Sequence, residues 1–415
     1  MNPDKILQPI GIQKYLGEKG LICFIALMNM YISLSTDIYL PALPGMQIYF
    51  KTSTALASLS LSSFMFMFAA GILVWGPISD RNGRKNTLIV NFIIYIIGSV
   101  GCIFSRSIYQ LILMRSLQGI ATGAIIAVST AIIKESFADK KREKILAIVQ
   151  SLSGIAPVIA PILGALILKV TGWQGIFWVL IIFGIICLIL TLLFIDTLKA
   201  DERYRGSVLG AFGRLIAVIK SRKLLYPTLV FSLSSLPFMG YLAISSFVYE
   251  DFFGLSEQMY SYYFATNAIV TILGPILYMK LLINVNKKNL TYIFLLINSL
   301  SGIAVVLIGA KAPIYFMLSF MPLSLIVTAM RPFCSSILLE QHKGDTGSTS
   351  SVINTFMTLA GSLGMVIASG PWRNIIIGFG IQISICSLVA LILWYLICRS
   401  GLRINALVKA DYDEI

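Results

Sequence analysis

Long apolar runs alternate with short polar breaks along the whole chain. A hydrocarbon layer of about 30 Å needs roughly 20 residues of helix to cross it. On that scale the runs fall at 21–41, 57–78, 87–105, 109–133, 145–169 and 174–196, then at 225–249, 260–282, 290–309, 313–338, 347–370 and 373–398. The pattern predicts an all-α polytopic membrane protein with twelve transmembrane helices. The longest break divides it six plus six: a bundle over 1–196, a linker over 197–224 and a second bundle over 225–415. In the linker, Val208, Phe212, Leu215 and Ile219 recur at helical spacing beside Arg214, Lys220, Arg222 and Lys223. That spacing predicts an amphipathic helix lying on the membrane and tethering the bundles.

Charge supplies the orientation. An even span count puts both termini on one side, and that side holds 25 of the 32 lysines and arginines. The other side holds five (Lys51, Arg106, Lys169, Lys311 and Arg373), while Arg115 and Arg331 lie inside spans. The positive-inside preference then makes both termini cytoplasmic and the location the cell (inner) membrane. The first apolar run lacks a small-residue cleavage signal and continues past Asp37, so it reads as a retained helix.

Composition narrows the function classes. Charged residues make up 12% of the chain, half of the roughly 25% that wets a soluble domain. The net charge of +14 is spread over short loops, which argues against a nucleic-acid surface. Six scattered cysteines without CxxC spacing and a single histidine, His342, give no disulfide frame, metal site or cofactor site. There is no GxxxxGK[ST] loop for ATP, and no buried acid–base cluster on which an enzyme could be built.

Polar residues inside spans carry the candidate chemistry. Asp37 is the only carboxylate deep in a predicted span, and a charge there costs on the order of 3 kcal/mol unless it meets water or a partner. Asn29, Ser33 and Asp37 recur every four residues and share a helix face with room for Thr36 beside it. In the fourth span, Arg115, Gln118, Thr122 and Ser129 form a second polar stripe, with Gly119 and Gly123 allowing close helix contact. Asp37 and Arg115 fall at comparable depth, so Arg115 is the expected partner of the carboxylate. In the second half, Ser232, Ser235, Phe238 and Met239 in span seven and Asn354 and Thr358 in span eleven are cavity candidates. Arg331 is expected to pair locally with Glu340, and Glu250 and Asp251 to be solvated at a helix end. Gly76-Pro77 is loosely echoed by Gly274-Pro275, as two related six-span halves require.

Three segments carry a family resemblance. Gly76-Pro77-Ile78-Ser79-Asp80-Arg81-Asn82-Gly83-Arg84-Lys85 is similar to the loop signature of the major facilitator superfamily, and Arg115-Ser116-Leu117-Gln118-Gly119 resembles its fourth-helix arginine motif. Gly154-Ile155-Ala156-Pro157-Val158-Ile159-Ala160-Pro161-Ile162-Leu163-Gly164 looks like the antiporter motif of its exporters, with alanines before the prolines as a departure. With Asp37-Ile38-Tyr39-Leu40-Pro41-Ala42-Leu43-Pro44 and Trp173-Gln174-Gly175-Ile176-Phe177-Trp178, the chain resembles the Bcr/CflA branch of drug:proton antiporters.

The resemblance implies two pseudo-symmetric six-helix bundles in the major facilitator fold, and a monomer exchanging protons for phenicol- or bicyclomycin-type drugs. Asp37 and Arg115 would couple protons, and Asn29, Ser33, Thr36, Asp37, Gln118, Thr122, Met239 and Asn354 would meet the drug. Asp80, Arg81, Gly83 and Arg84 would form a conformational latch, and Gly154, Pro157, Pro161 and Gly164 the antiporter helix. Some relatives carry a second acid where Asn29 stands, so neutral compounds are the expected cargo. Proton-coupled uptake of a metabolite is the alternative reading.

Overall fold

A computed structural model describes residues 13–137, 139–198, 201, 203, 221–283, 285–339 and 346–400. Its long helices are α1 (Gly17–Tyr49), α2 (Thr54–Asn82), α3 (Arg84–Ile103), α4 (Ile108–Ser136), α5 (Asp139–Thr171) and α6 (Trp173–Leu193), then α7 (Arg222–Phe252), α8 (Glu257–Leu282), α9 (Lys287–Ile308), α10 (Pro313–Leu339), α11 (Thr346–Ala368) and α12 (Ile375–Arg399). Eleven of these are long and apolar enough to cross a membrane over their described residues, and the 23-residue α11 makes the twelfth long helix. The linker helix expected over 208–219, along with Glu340 and His342, lies outside the described residues.

Helix ends follow local chemistry. Ser53, Ser107 and Ser256 accept hydrogen bonds from the backbone N–H groups of Leu56, Gln110 and Met259, and Asn286 and Asn374 cap α9 and α12 in the same way. Such caps satisfy donors that the first helical turn leaves free. One residue, Gly83, separates α2 from α3, with a φ of 91° that only glycine adopts without strain. The first membrane helix is interrupted: the α-helix ends at Asp37, a tight turn spans Leu40–Ala42, and a short helix resumes over Leu43–Tyr49. Pro41 and Pro44 sit at the starts of these last two pieces, where a missing N–H costs nothing.

Packing repeats with an offset of six helices. α1 packs on α5, α2 on α4, α3 on α6 and α3 on α4; α7 packs on α11, α8 on α10, α9 on α12 and α9 on α10. Gly119 and Gly123 sit where any side chain would collide with the backbone carbonyls of Phe64 and Phe68, so α4 lies directly on α2. Gly71 closes the same contact from the α2 side. Gly274 of α8 likewise meets the α10 backbone at Leu325 and Ala329. Its packing counterpart in α2 is therefore Gly71 and not Gly76, whose surroundings are open.

The two halves meet along α2–α11 and α5–α8, and the Leu40–Ala42 turn touches α7 and α8. Among the described residues, three hydrogen bonds cross between them. Ser58 donates to the Ala243 carbonyl at 3.0 Å, Ser261 donates to the Pro161 carbonyl at 2.9 Å, and Lys169 donates to the Gln258 amide oxygen. All three lie toward the membrane face opposite the helical ends at Gly17 and Arg399, so this conformation is sealed at that opposite face.

Candidate transport site

Asp37 is the last residue of the first α-helical stretch, just before the interruption. The residue keeps only 5% of its surface open. The Thr36 hydroxyl lies 3.0 Å from one carboxyl oxygen and 2.8 Å from the Ile32 carbonyl, and its single hydrogen is shared between these two acceptors. No described cation pairs with Asp37. The turn beginning three residues later packs on both α7 and α8, which places this carboxyl at the seam between the halves.

Arg115 is fully buried on α4 at the same level. Its guanidinium donates to Gln118 Oε1 at 2.8 Å and to the Ser35 carbonyl at 3.0 Å. The rings of Tyr39 and Phe64 hold it from two sides at 4.6 and 4.4 Å. Aromatic faces attract a cation most when water is excluded, and Nε is left without a partner. The expected ion pair with Asp37 is not formed. The helix end at Asp37 offers the Ser35 carbonyl nearer to Arg115, and the aromatic cage supplies the rest of the compensation a buried charge needs.

The other expected site residues separate into groups. Asn29 donates to the Ser129 hydroxyl at 2.6 Å, joining the two polar stripes across α1 and α4. Ser33 is half-buried, one turn before Asp37. Gln118 and Thr122 have no exposed surface. Gln118 donates to Ser99 on α3 at 2.7 Å and Thr122 to the Gln118 carbonyl at 2.8 Å. Both are buried inside the first half in this conformation. Met239 is partly buried on α7 against Gly361 of α11, and Asn354 is exposed on α11. Glu250 departs from the solvated reading: it is partly buried in a wide-turned segment, Phe247–Phe252, and its Oε1 is enclosed without a hydrogen-bond partner. Fully buried Tyr249, packed on the Tyr260 ring, precedes it in that segment.

The loop after α2 forms an ion network that the sequence reading saw only in part. Arg84, on the first turn of α3, reaches Asp80 at 2.6 Å and Glu135 at 2.5 Å, and donates to the Ser79 hydroxyl. Asp196 accepts from the backbone N–H of Arg84 at 3.1 Å, and Arg203 lies 3.5 Å from its other oxygen. A side chain at Gly83 would strike Asp196 and Arg203. Arg81 is exposed and forms none of the ion pairs among the described residues. Glu135 and Asp196 were missed; their signal was an acid at the end of an apolar helical run, just before a basic loop.

α5 runs as one helix through Pro157 and Pro161. Two of its expected motif residues meet the second half, since Gly154 approaches Ile272 of α8 and the Pro161 carbonyl takes the Ser261 hydroxyl, while Gly164 lies against the Ile38 carbonyl of α1, leaving no room for a side chain. One helix thus touches both the partner half and the residue next to Asp37.

Known proteins can be set beside this geometry. An uncharacterized MFS-type transporter, YdgK of Bacillus subtilis (strain 168), is 26% identical over 338 residues, covering 80% of this chain and 83% of that protein. The multidrug resistance protein MdtL of Escherichia coli O157:H7 is 34% identical over 175 residues, and the match spans 42% of this chain and 44% of MdtL. Among solved structures, a D-xylose-proton symporter aligns with a TM-score of 0.72 at 15% identity, covering 92% of this chain and 98% of that one. A bacterial homolog of the human lysosomal transporter Spinster aligns at 0.70 and 16%, covering 92% of this chain and 97% of that one. The model described as Major Facilitator Superfamily matches residues 25–365. A match of that extent, on twelve long helices whose contacts repeat after six, makes this chain a member of the Major Facilitator Superfamily.

Proposed function

We propose that the chain is a secondary exporter of the Bcr/CflA type that exchanges protons for small, mostly neutral drug-like molecules across the cell membrane. The observation that supports this most is Asp37: a carboxyl at the seam between halves, bonded among the described residues only to Thr36 and paired with none of their cations. A carboxyl with so few fixed partners can gain and lose a proton without breaking the fold. If the two conformations bind the proton and the drug with different affinity, the gradient drives export. The partial likeness to multidrug resistance protein MdtL favours drugs as the cargo.

In this reading both termini are cytoplasmic and the sealed face is the outer one. Residues 1–196 and 225–415 then rock as two bodies, and the Asp80–Arg84–Glu135 network steadies the cytoplasmic end of the first. The test is proton release from acidified inverted vesicles on addition of a phenicol-type drug, in wild type and Asp37→Asn. Release in wild type alone supports antiport through Asp37. Equal release in both makes Asp37 structural. Drug-independent uptake of a metabolite driven by external acidity would establish the symport alternative.

A further inference from the structure

A groove of about 450 Å³ runs between α8, α9 and α10 on the outside of the second half. Leu277, Leu290, Ile293, Ile297, Pro322 and Leu325 line it, and its remaining lining residues are apolar as well. It opens away from the bundle interior, for Ile293 is 49% exposed. The α9 part of the lining, from Leu290 to Ile297, extends about 10 Å along the helix axis. The groove is deep enough for the upper part of one acyl chain and offers a polar ligand no partner along its length.

Its end nearest the α8–α9 connection is basic. Lys280 follows Leu277 in the wide-turned segment Tyr278–Leu282, and Lys287 and Lys288 open α9 just before Leu290. Lys280 and Lys288 are exposed, and none of the three forms an ion pair among the described residues. The sequence contains no aspartate or glutamate between Glu257 and Glu340. These cations at the α8–α9 connection therefore have no carboxylate of their own segment to neutralise them, and the connection joins the ends of two membrane-length helices.

We infer that this groove is a binding site for an anionic phospholipid, with one acyl chain between α9 and α10 and the phosphate on Lys280, Lys287 and Lys288. The site lies on one half only, so an occupied groove leaves the seam between halves free to move. Basic side chains near a membrane surface each strengthen attraction to anionic lipid on the order of fivefold.

The test uses the purified full chain in detergent, incubated with phosphatidylglycerol or phosphatidylcholine of identical acyl chains, with retained lipid read by native mass spectrometry. Wild type is expected to retain phosphatidylglycerol at least about tenfold better. The triple variant Lys280→Gln, Lys287→Gln, Lys288→Gln is expected to lose that preference while staying folded, because it changes charge at the surface. Ile293→Trp, which fills the groove, is expected to lower retention of both lipids. Equal retention of the two lipids by wild type, or an unchanged preference in the triple variant, overturns the assignment.

Discussion

Arg115 and Asp37 are neighbours without being partners: the guanidinium donates to the Ser35 carbonyl at 3.0 Å, while the carboxyl two residues further on receives only the Thr36 hydroxyl. The positive charge is held permanently by a carbonyl, an amide and two rings. The carboxyl is left without such a set, so the two groups have different freedom. In the proposed exchange cycle Arg115 holds the first half around the site, and Asp37 is the group that takes up and releases the proton.

Asp37→Asn should therefore cost little stability, since an amide can keep the Thr36 hydrogen bond. The expected result is a melting temperature in detergent within a few degrees of wild type, with drug-induced proton movement lost. A large loss of folded protein would show instead that the carboxylate is structural.

Arg115→Lys should be more damaging to the fold than Asp37→Asn. A lysine ammonium cannot reach Gln118 and the Ser35 carbonyl together in the forked geometry, and it stacks less well between Tyr39 and Phe64. A loss of about 2–3 kcal/mol is expected from the charged hydrogen bonds alone, measured as unfolding of the detergent-solubilised protein.

Gly123→Ala should destabilise by roughly 1–3 kcal/mol. Its new methyl group would meet the Phe68 carbonyl and push α4 off α2. Gly76→Ala provides the control, because nothing lies within 4 Å of the position its methyl group would take.

In the loop network, Glu135→Gln should lower transport several-fold, since Arg84 loses one of its two carboxylates. Arg81→Gln should leave transport within about twofold of wild type, as befits an exposed charge outside the network. Initial-rate drug efflux from cells producing equal amounts of each variant distinguishes the two.

The double variant Ser58→Ala, Ser261→Ala removes two of the three hydrogen bonds between halves among the described residues. It should open the sealed face more often. A cysteine placed at Ser33, in a chain lacking the exposed Cys23, should then react several-fold faster with a membrane-impermeant maleimide added from that face.

The twelve spans were legible because a bilayer imposes one length and one polarity on every crossing helix. Asp37, Arg115, Gly119 and Gly123 were legible for the same reason, since polar and small residues stand out against an apolar background. What stayed hidden was the rotation of each helix about its own axis. Gln118 and Thr122 share a stripe with Arg115 in the sequence, yet the structure buries both, with Gln118 bonded to Ser99 of α3 and Thr122 to its own helix. Partners distant along the chain were hidden as well: nothing local to Arg84 names Glu135, 51 residues away. Glu250 was misread because position near a helix end suggests water, and only the packing of Tyr249 and its neighbours shows otherwise.

The three bonds that close the opposite face have a mechanical consequence. Each takes a backbone carbonyl or an amide oxygen as acceptor, and none is an ion pair. Water can replace such bonds one at a time at nearly even enthalpy. If the halves part there as proposed, the described contacts on that side act as a zip and not as a bolt: they can separate tooth by tooth, without the toll of separating opposite charges, and salt should scarcely alter how often that face opens.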